Sequence, residues 1–142
     1  MRKLFVDTGA FYAMADRSDR HHREAARTFQ SRAGEDELTT TDHVFVEAWF
    51  LIRARLGRPA AMGFWDAIET GLVTILGVTA RDLLRGHGIA REWADQDFSI
   101  VDCTSFAIME RLGIDQAFAF DVHFRVVRLG SRRTHALTIL PG

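Results

Sequence analysis

The sequence predicts an α/β fold, a three-layer α/β/α sandwich built on five short parallel strands. Three observations carry this. Strand-like apolar runs alternate with helical patterns from one end of the chain to the other, the signature of a parallel sheet covered on both faces. The strand runs are short and rich in apolar or β-branched residues, as burial on both faces requires. No repeat, low-complexity tract or long linker interrupts them, and Pro59 and Pro141 are the only prolines.

The elements follow from periodicity and punctuation. Residues 3–6, KLFV, read as the first strand, and a helix opens near Gly9. Residues 21–30 form a mostly polar helix with Ala25, Ala26 and Phe29 as its apolar contacts. Residues 37–40 are a β-branched strand, and 42–55 a helix that stops before Gly57. Pro59 starts the next helix, 60–69, in keeping with proline at a first helical position. A strand at 72–76 precedes a helix at 80–93, whose middle Gly86 and Gly88 weaken. A helix at 101–112 is closed by Gly113. The last elements are a strand at 117–120, a helical turn at 122–127 and a strand at 136–140.

A length of 142 residues fits one domain, 1–142, with one core. The 47% hydrophobic and 26% charged content is ordinary for a globular protein. No apolar run is long enough to span a bilayer, and the N-terminus lacks the apolar centre of a secretory signal. Cys103 is the single cysteine, which excludes an internal disulfide and suits a reducing cytoplasm. The six histidines show no zinc-motif spacing. The formal net charge of −1 argues against indiscriminate nucleic-acid binding. From Val122 onward, however, the chain carries Arg125, Arg128, Arg132, Arg133 and two histidines with no acid. That segment is either a solvated face or a phosphate-attracting patch.

Several acids stand in unusual places. Asp7 ends the first strand, and Asp121 follows the AFAF run in the same strand-then-aspartate pattern. Capping of the next helix by Asp7 and Thr8 is the plainer account of that joint. Open parallel sheets place their sites beyond the carboxyl ends of the strands, where strand order reverses. If the two strands are neighbours there, both carboxylates enter one crevice. Glu47 shares a helical face with Val44, Ala48 and Leu51, so it lies in or beside an apolar stripe. Asp102 forms the pattern of a capping box with Ser99, yet its place in a first turn also faces the carboxyl edge. Asp95 and Asp97 belong to the preceding loop, with Asp97 a candidate outer ligand.

Carboxylates gathered in one crevice repel one another and raise their pKa values. A hard divalent cation, Mg²⁺ or Mn²⁺, removes that conflict with oxygen ligands. Such an ion activates water and stabilises charge on phosphodiester oxygens. Thr8 and Thr104 offer hydroxyls to waters or phosphate oxygens, and His123 and Arg125 lie where a phosphate can approach.

Four segments together resemble PIN-domain proteins: FVDTGAFYA, VEAWFLI, SIVDCTSFAIMERLGI and AFAFDVHF. The likeness extends over nearly the whole chain, and it is greatest to small prokaryotic VapC-like ribonuclease toxins. The resemblance implies a strand order of 3-2-1-4-5, with strands one and four adjacent. It implies a Mg²⁺- or Mn²⁺-dependent ribonuclease whose acidic site matches Asp7, Glu47, Asp102 and Asp121. It further implies an RNA substrate, a homodimer and a small antitoxin partner. Two alternatives stand beside this reading. One is a binding module that holds RNA or protein without cleaving. The other is a phosphotransfer enzyme with Asp7 as nucleophile, although such enzymes place a second aspartate two residues on, where this chain has Gly9.

Overall fold

The computed structural model describes residues 1–142. The chain begins with β1 (Lys3–Val6), α1 (Thr8–Ala15), α2 (His22–Arg32) and β2 (Glu37–Thr41). It continues with α3 (Asp42–Leu56), α4 (Arg58–Glu69), β3 (Thr74–Leu76), α5 (Ala80–Glu92) and α6 (Ile100–Leu112). It ends with β4 (Gln116–Phe118), α7 (His123–Val126), β5 (Arg128–Leu129), β6 (His135–Ala136) and β7 (Thr138–Leu140).

The main sheet has five parallel strands in the order β3-β2-β1-β4-β7. The first three strands are laid down in one direction across the sheet. The chain then crosses back beyond β1 to form β4 and β7. Right-handed crossovers put α1 to α4 on one face and, after the reversal, α5 and α6 on the other. Contacts follow this division: α1 packs on α2 and α3, α3 on α4, and α5 on α6. The switch point falls between β1 and β4, as the predicted order requires, with β7 taking the fifth position.

The central strand explains the opening sequence. Leu4, Phe5 and Val6 are fully buried, and each such side chain contributes about 1.5–3 kcal/mol. Phe5 stacks on Phe124 of α7, and Phe124 meets Phe106 of α6 edge-on at 4.9 Å. The same core therefore fixes β1, α6 and α7, the three elements around the switch point.

Three expectations about elements are corrected. The third strand starts at Thr74, because Gly71 takes φ 85° and Leu72 is left in an exposed turn. The fourth strand ends at Phe118, although the Ala119 amide still donates to the Leu140 carbonyl at 3.0 Å. The final apolar run is divided, since His135–Ala136 turns back to pair antiparallel with Arg128–Leu129. Two-residue strands carry no periodicity, so that hairpin left no signal in the sequence.

Gly86 has a packing reason. A Cβ there would sit 3.2 Å from the Cys103 carbonyl oxygen, so the missing side chain lets α5 and α6 approach closely. Two forked ion pairs tie the same helices: Arg85 to Glu110 and Arg111 to the buried Asp82. No helix is long and apolar enough to cross a membrane.

Candidate acidic active site

Asp7 leaves the end of β1 alongside β4. Its amide donates to the Phe118 carbonyl at 3.0 Å, continuing the ladder in which Val6 is opposite Phe118. It occupies the N-cap position of α1, yet its side chain makes no capping hydrogen bond. Capping therefore does not account for this carboxylate. The side chain is buried, and its pKa is raised to about 8, chiefly by loss of solvent. The Thr8 amide beside it acts in the opposite direction, and the charges of Asp102, Asp121 and Glu47 raise it further. Those three acids are the ones predicted to share its crevice.

Glu47 projects from α3 at the exposed edge of the apolar stripe, while Val44 and Ala48 on that helix are fully buried. The Thr8 hydroxyl donates to Glu47 Oε1 at 2.6 Å, so α1 holds this carboxylate in place. Asp102 forms the capping box with Ser99: its amide donates to Ser99 Oγ at 3.0 Å, and its Oδ2 accepts from the Ser99 amide at 3.1 Å. Capping and membership of the acidic group thus coexist in Asp102. Asp121 sits in the turn after β4, where its Oδ1 accepts from the His123 amide at 2.9 Å.

His123, read from the sequence as a residue that a phosphate can approach, lies beside the acids. Its ring Nδ1 is 2.9 Å from Asp102 Oδ2 and 3.5 Å from Asp121 Oδ1. One ligand atom each from Asp102, Asp121 and His123 lies within 4.8 Å of the others, close enough to hold one ion. No arginine or lysine pairs with Asp7, Glu47, Asp102 or Asp121. A buried carboxylate without a cation, among further oxygen donors, fits a hard divalent ion such as Mg²⁺ or Mn²⁺.

The remaining expected residues divide. The Thr104 hydroxyl back-bonds to the Ile100 carbonyl at 2.9 Å and meets His43 Nδ1 at 3.3 Å, so its proton is not free for a phosphate. Thr8 likewise gives its proton to Glu47. The Arg125 guanidinium is exposed and makes no side-chain hydrogen bond or ion pair, which leaves it available to a phosphate. Half of the basic segment has a structural task. Arg128 donates to the carbonyls of Arg125, Val126 and Val127, and Arg133 lies over the Trp93 ring. Asp95 and Asp97 are exposed and outside the group of acids. His43 was not singled out in the sequence. Its position one helical turn before Glu47 was the available signal.

An open three-layer sheet with acidic side chains meeting at its switch point defines a class of α/β proteins built around an oxygen-rich, metal-competent crevice. The chain belongs to the PIN-domain family, whose domain matches residues 4–129. It is 35% identical over 125 residues to the 23S rRNA-specific endonuclease VapC20 of Mycobacterium tuberculosis, covering 85% of this chain and 91% of that protein. The crystal structure of VapC20 from that organism, described as a sarcin–ricin loop cleaving toxin, superposes with a TM-score of 0.79 at 31% identity, over 84% of this chain and 90% of that one. VapBC2 of Rickettsia felis, bound to promoter DNA, shares the fold at TM-score 0.68 and 11% identity, over 96% of each chain. DNA-bound VapBC of Salmonella typhimurium shares it at 0.66 and 14%, over 98% of this chain and 97% of that one. Membership of this family sets aside the phospho-aspartate reading of Asp7.

Proposed function

We propose that this protein is a divalent-metal-dependent endoribonuclease and the toxin of a toxin–antitoxin pair. The observation that carries the reading is Asp7, a buried carboxylate with no cation beside it, whose pKa is raised chiefly by loss of solvent and further by three neighbouring acids. The relationship to VapC20, an rRNA endonuclease and toxin, supports both the chemistry and the role. In this reading Asp7, Asp102 and Asp121 hold the principal Mg²⁺ or Mn²⁺, and Glu47, fixed by Thr8, completes the site or positions the attacking water. The ion supplies an activated water and charge stabilisation at the phosphodiester. Arg125 attracts the RNA backbone, so added salt weakens binding.

The substrate to test first is the sarcin–ricin loop of 23S rRNA, cleaved by the relative. Such a substrate places the protein in the cytoplasm. An antitoxin has an apolar groove of about 320 Å³ available between α1, α2 and α4, lined by Phe11, Met14, Phe29, Phe64, Ile68 and others. A homodimer is the expected assembly, and Phe50 and Trp65 give α3 and α4 an exposed apolar face for it.

The deciding experiment incubates the purified chain with 23S rRNA in EDTA, Mg²⁺ or Mn²⁺ and maps new ends by primer extension. Metal-dependent cleavage is expected, lost in Asp7→Asn and Asp121→Asn variants that keep the wild-type circular dichroism. Undiminished cleavage by both variants would remove the site assignment. Binding without cleavage in any metal would favour the non-cleaving module.

A further inference from the structure

Beside the acidic crevice lies an open cavity of about 380 Å³, lined by Asp42, His43, Val46, Glu47, Ile100 and Val101. It shares Glu47 with the crevice, and its volume is within the range of small-molecule sites. We infer that this cavity is a ribonucleotide subsite in which His43 Nε2 accepts a hydrogen bond from a ribose 2′-hydroxyl next to the scissile phosphate. The RNA class of ligand rests on the nuclease reading above.

The assignment starts from one hydroxyl proton. Thr104 Oγ1 donates that proton to a carbonyl of its own helix, at 2.9 Å from Ile100 O and 3.2 Å from Val101 O. A carbonyl only accepts, so the same oxygen faces His43 Nδ1, 3.3 Å away, as an acceptor. Nδ1 therefore carries a ring proton, and in the neutral ring Nε2 is the acceptor. Nε2 has no hydrogen-bond partner in the chain, and it is absent from the buried unpartnered atoms, so it is not sealed from solvent. The result is an oriented acceptor on a residue that lines the cavity, set by a residue on a different element.

The lining disfavours an anionic occupant. Asp42 and Glu47 disfavour an anionic phosphate in this cavity, and Asp42 Oδ1 is already held by the amides of His43 and Val78 at 2.9 and 3.1 Å. The apolar lining includes Val46 and Ile100, 49% and 68% exposed. The uncharged part of a nucleotide suits this mixture: ribose or base against the aliphatic groups, and a hydroxyl donor to Nε2. The 2′-hydroxyl is the group by which a protein separates RNA from DNA at a given position. His43 is thereby assigned as a residue that contacts substrate and sets ribose specificity.

The test uses the full chain and a synthetic hairpin of the 23S rRNA sarcin–ricin sequence, with a set of copies each carrying one 2′-deoxy substitution. Binding is read by fluorescence anisotropy in Ca²⁺ at low salt, with the RNA confirmed intact on gels. Cleavage is read separately in Mn²⁺. One 2′-deoxy position is expected to weaken wild-type binding by about threefold to tenfold, the effect of a single hydrogen bond. His43→Ala is expected to lose a similar factor on the all-ribose hairpin and to be indifferent to that position, while His43→Gln recovers part of it. A long-range ¹H–¹⁵N spectrum of the free protein is expected to show His43 protonated at Nδ1 only. A ring protonated at Nε2, a hairpin that does not bind, or a His43→Ala variant that senses every 2′-deoxy position as wild type does would each overturn the subsite. Deoxy-sensitive binding without cleavage would support the subsite and count against the nuclease reading alone.

Discussion

His123 Nδ1 lies 2.9 Å from Asp102 Oδ2, so a ring on α7 restrains a carboxylate on α6. An ionised carboxylate only accepts, which makes Nδ1–H the donor. The same Asp102 oxygen already accepts from the Ser99 amide, so it is held from two sides. The other oxygen makes no hydrogen bond in the chain, which leaves it free for the proposed ion.

In the proposed metal site this relationship makes His123 an orienting partner of Asp102. Removing such a partner typically lowers metal affinity by about 10–100-fold. His123→Ala is expected to weaken Mn²⁺ binding, measured by titration calorimetry, by roughly tenfold with the fold retained. Unchanged affinity would make the ring a bystander.

Asp7 gives a pH dependence with a definite sign. Without metal, the folded chain keeps a proton on Asp7 up to about pH 8, whereas the unfolded chain releases it near 3.8. Between those values folding takes up a proton, so stability falls as pH rises and levels off above the folded pKa. In EDTA the melting temperature is expected to decline from pH 5 to pH 8. Asp7→Asn is expected to flatten that decline and to melt several degrees higher at pH 8. Mn²⁺ is expected to raise the wild-type value and leave the variant's nearly unchanged. A variant melting below wild type at pH 8 in EDTA would contradict the account of Asp7.

Much of this architecture was legible because β1 ends just before Asp7 and the AFAF run that contains the end of β4 leads to Asp121, and because alternation fixes a parallel sheet. Asp102 was read correctly as a cap, since Ser99 lies three residues earlier. The pairing of β1 with β4 came from the family resemblance, because contacts between distant segments leave no local pattern. The roles of Thr8, Thr104 and His43 were hidden for the same reason. Each is decided by a partner 39 or 61 residues away. Gly86 was misleading in isolation: helix propensity counts it as a defect, while the Cys103 carbonyl makes it a point of close approach.

The two glycines of α5 separate these effects. Gly86→Val forces a branched side chain against the α6 backbone and is expected to cost about 1–3 kcal/mol. At Gly88 a Cβ would meet only the end of the Arg85 side chain, at 3.5 Å. Gly88→Ala is therefore expected to stabilise the helix by about 0.5–1 kcal/mol. Urea denaturation of both variants checks the contrast. Equal effects at the two positions would show that helix propensity alone governs α5.

Thr8 supplies the last prediction. Its hydroxyl, 2.6 Å from Glu47 Oε1, is the one side-chain hydrogen bond that Glu47 receives. The residue is itself buried, so Thr8→Val keeps the shape of the site while deleting the donor. Glu47, on the exposed edge of α3, then gains rotamer freedom. If Glu47 acts at the reacting phosphate, the loss falls on the chemical step and not on RNA binding. Thr8→Val is expected to lower kcat by about tenfold with KM nearly unchanged, and Thr8→Ser to restore most of it. Single-turnover cleavage of the sarcin–ricin hairpin in Mn²⁺ separates the two constants. An effect confined to KM would move Thr8 from positioning Glu47 to binding substrate.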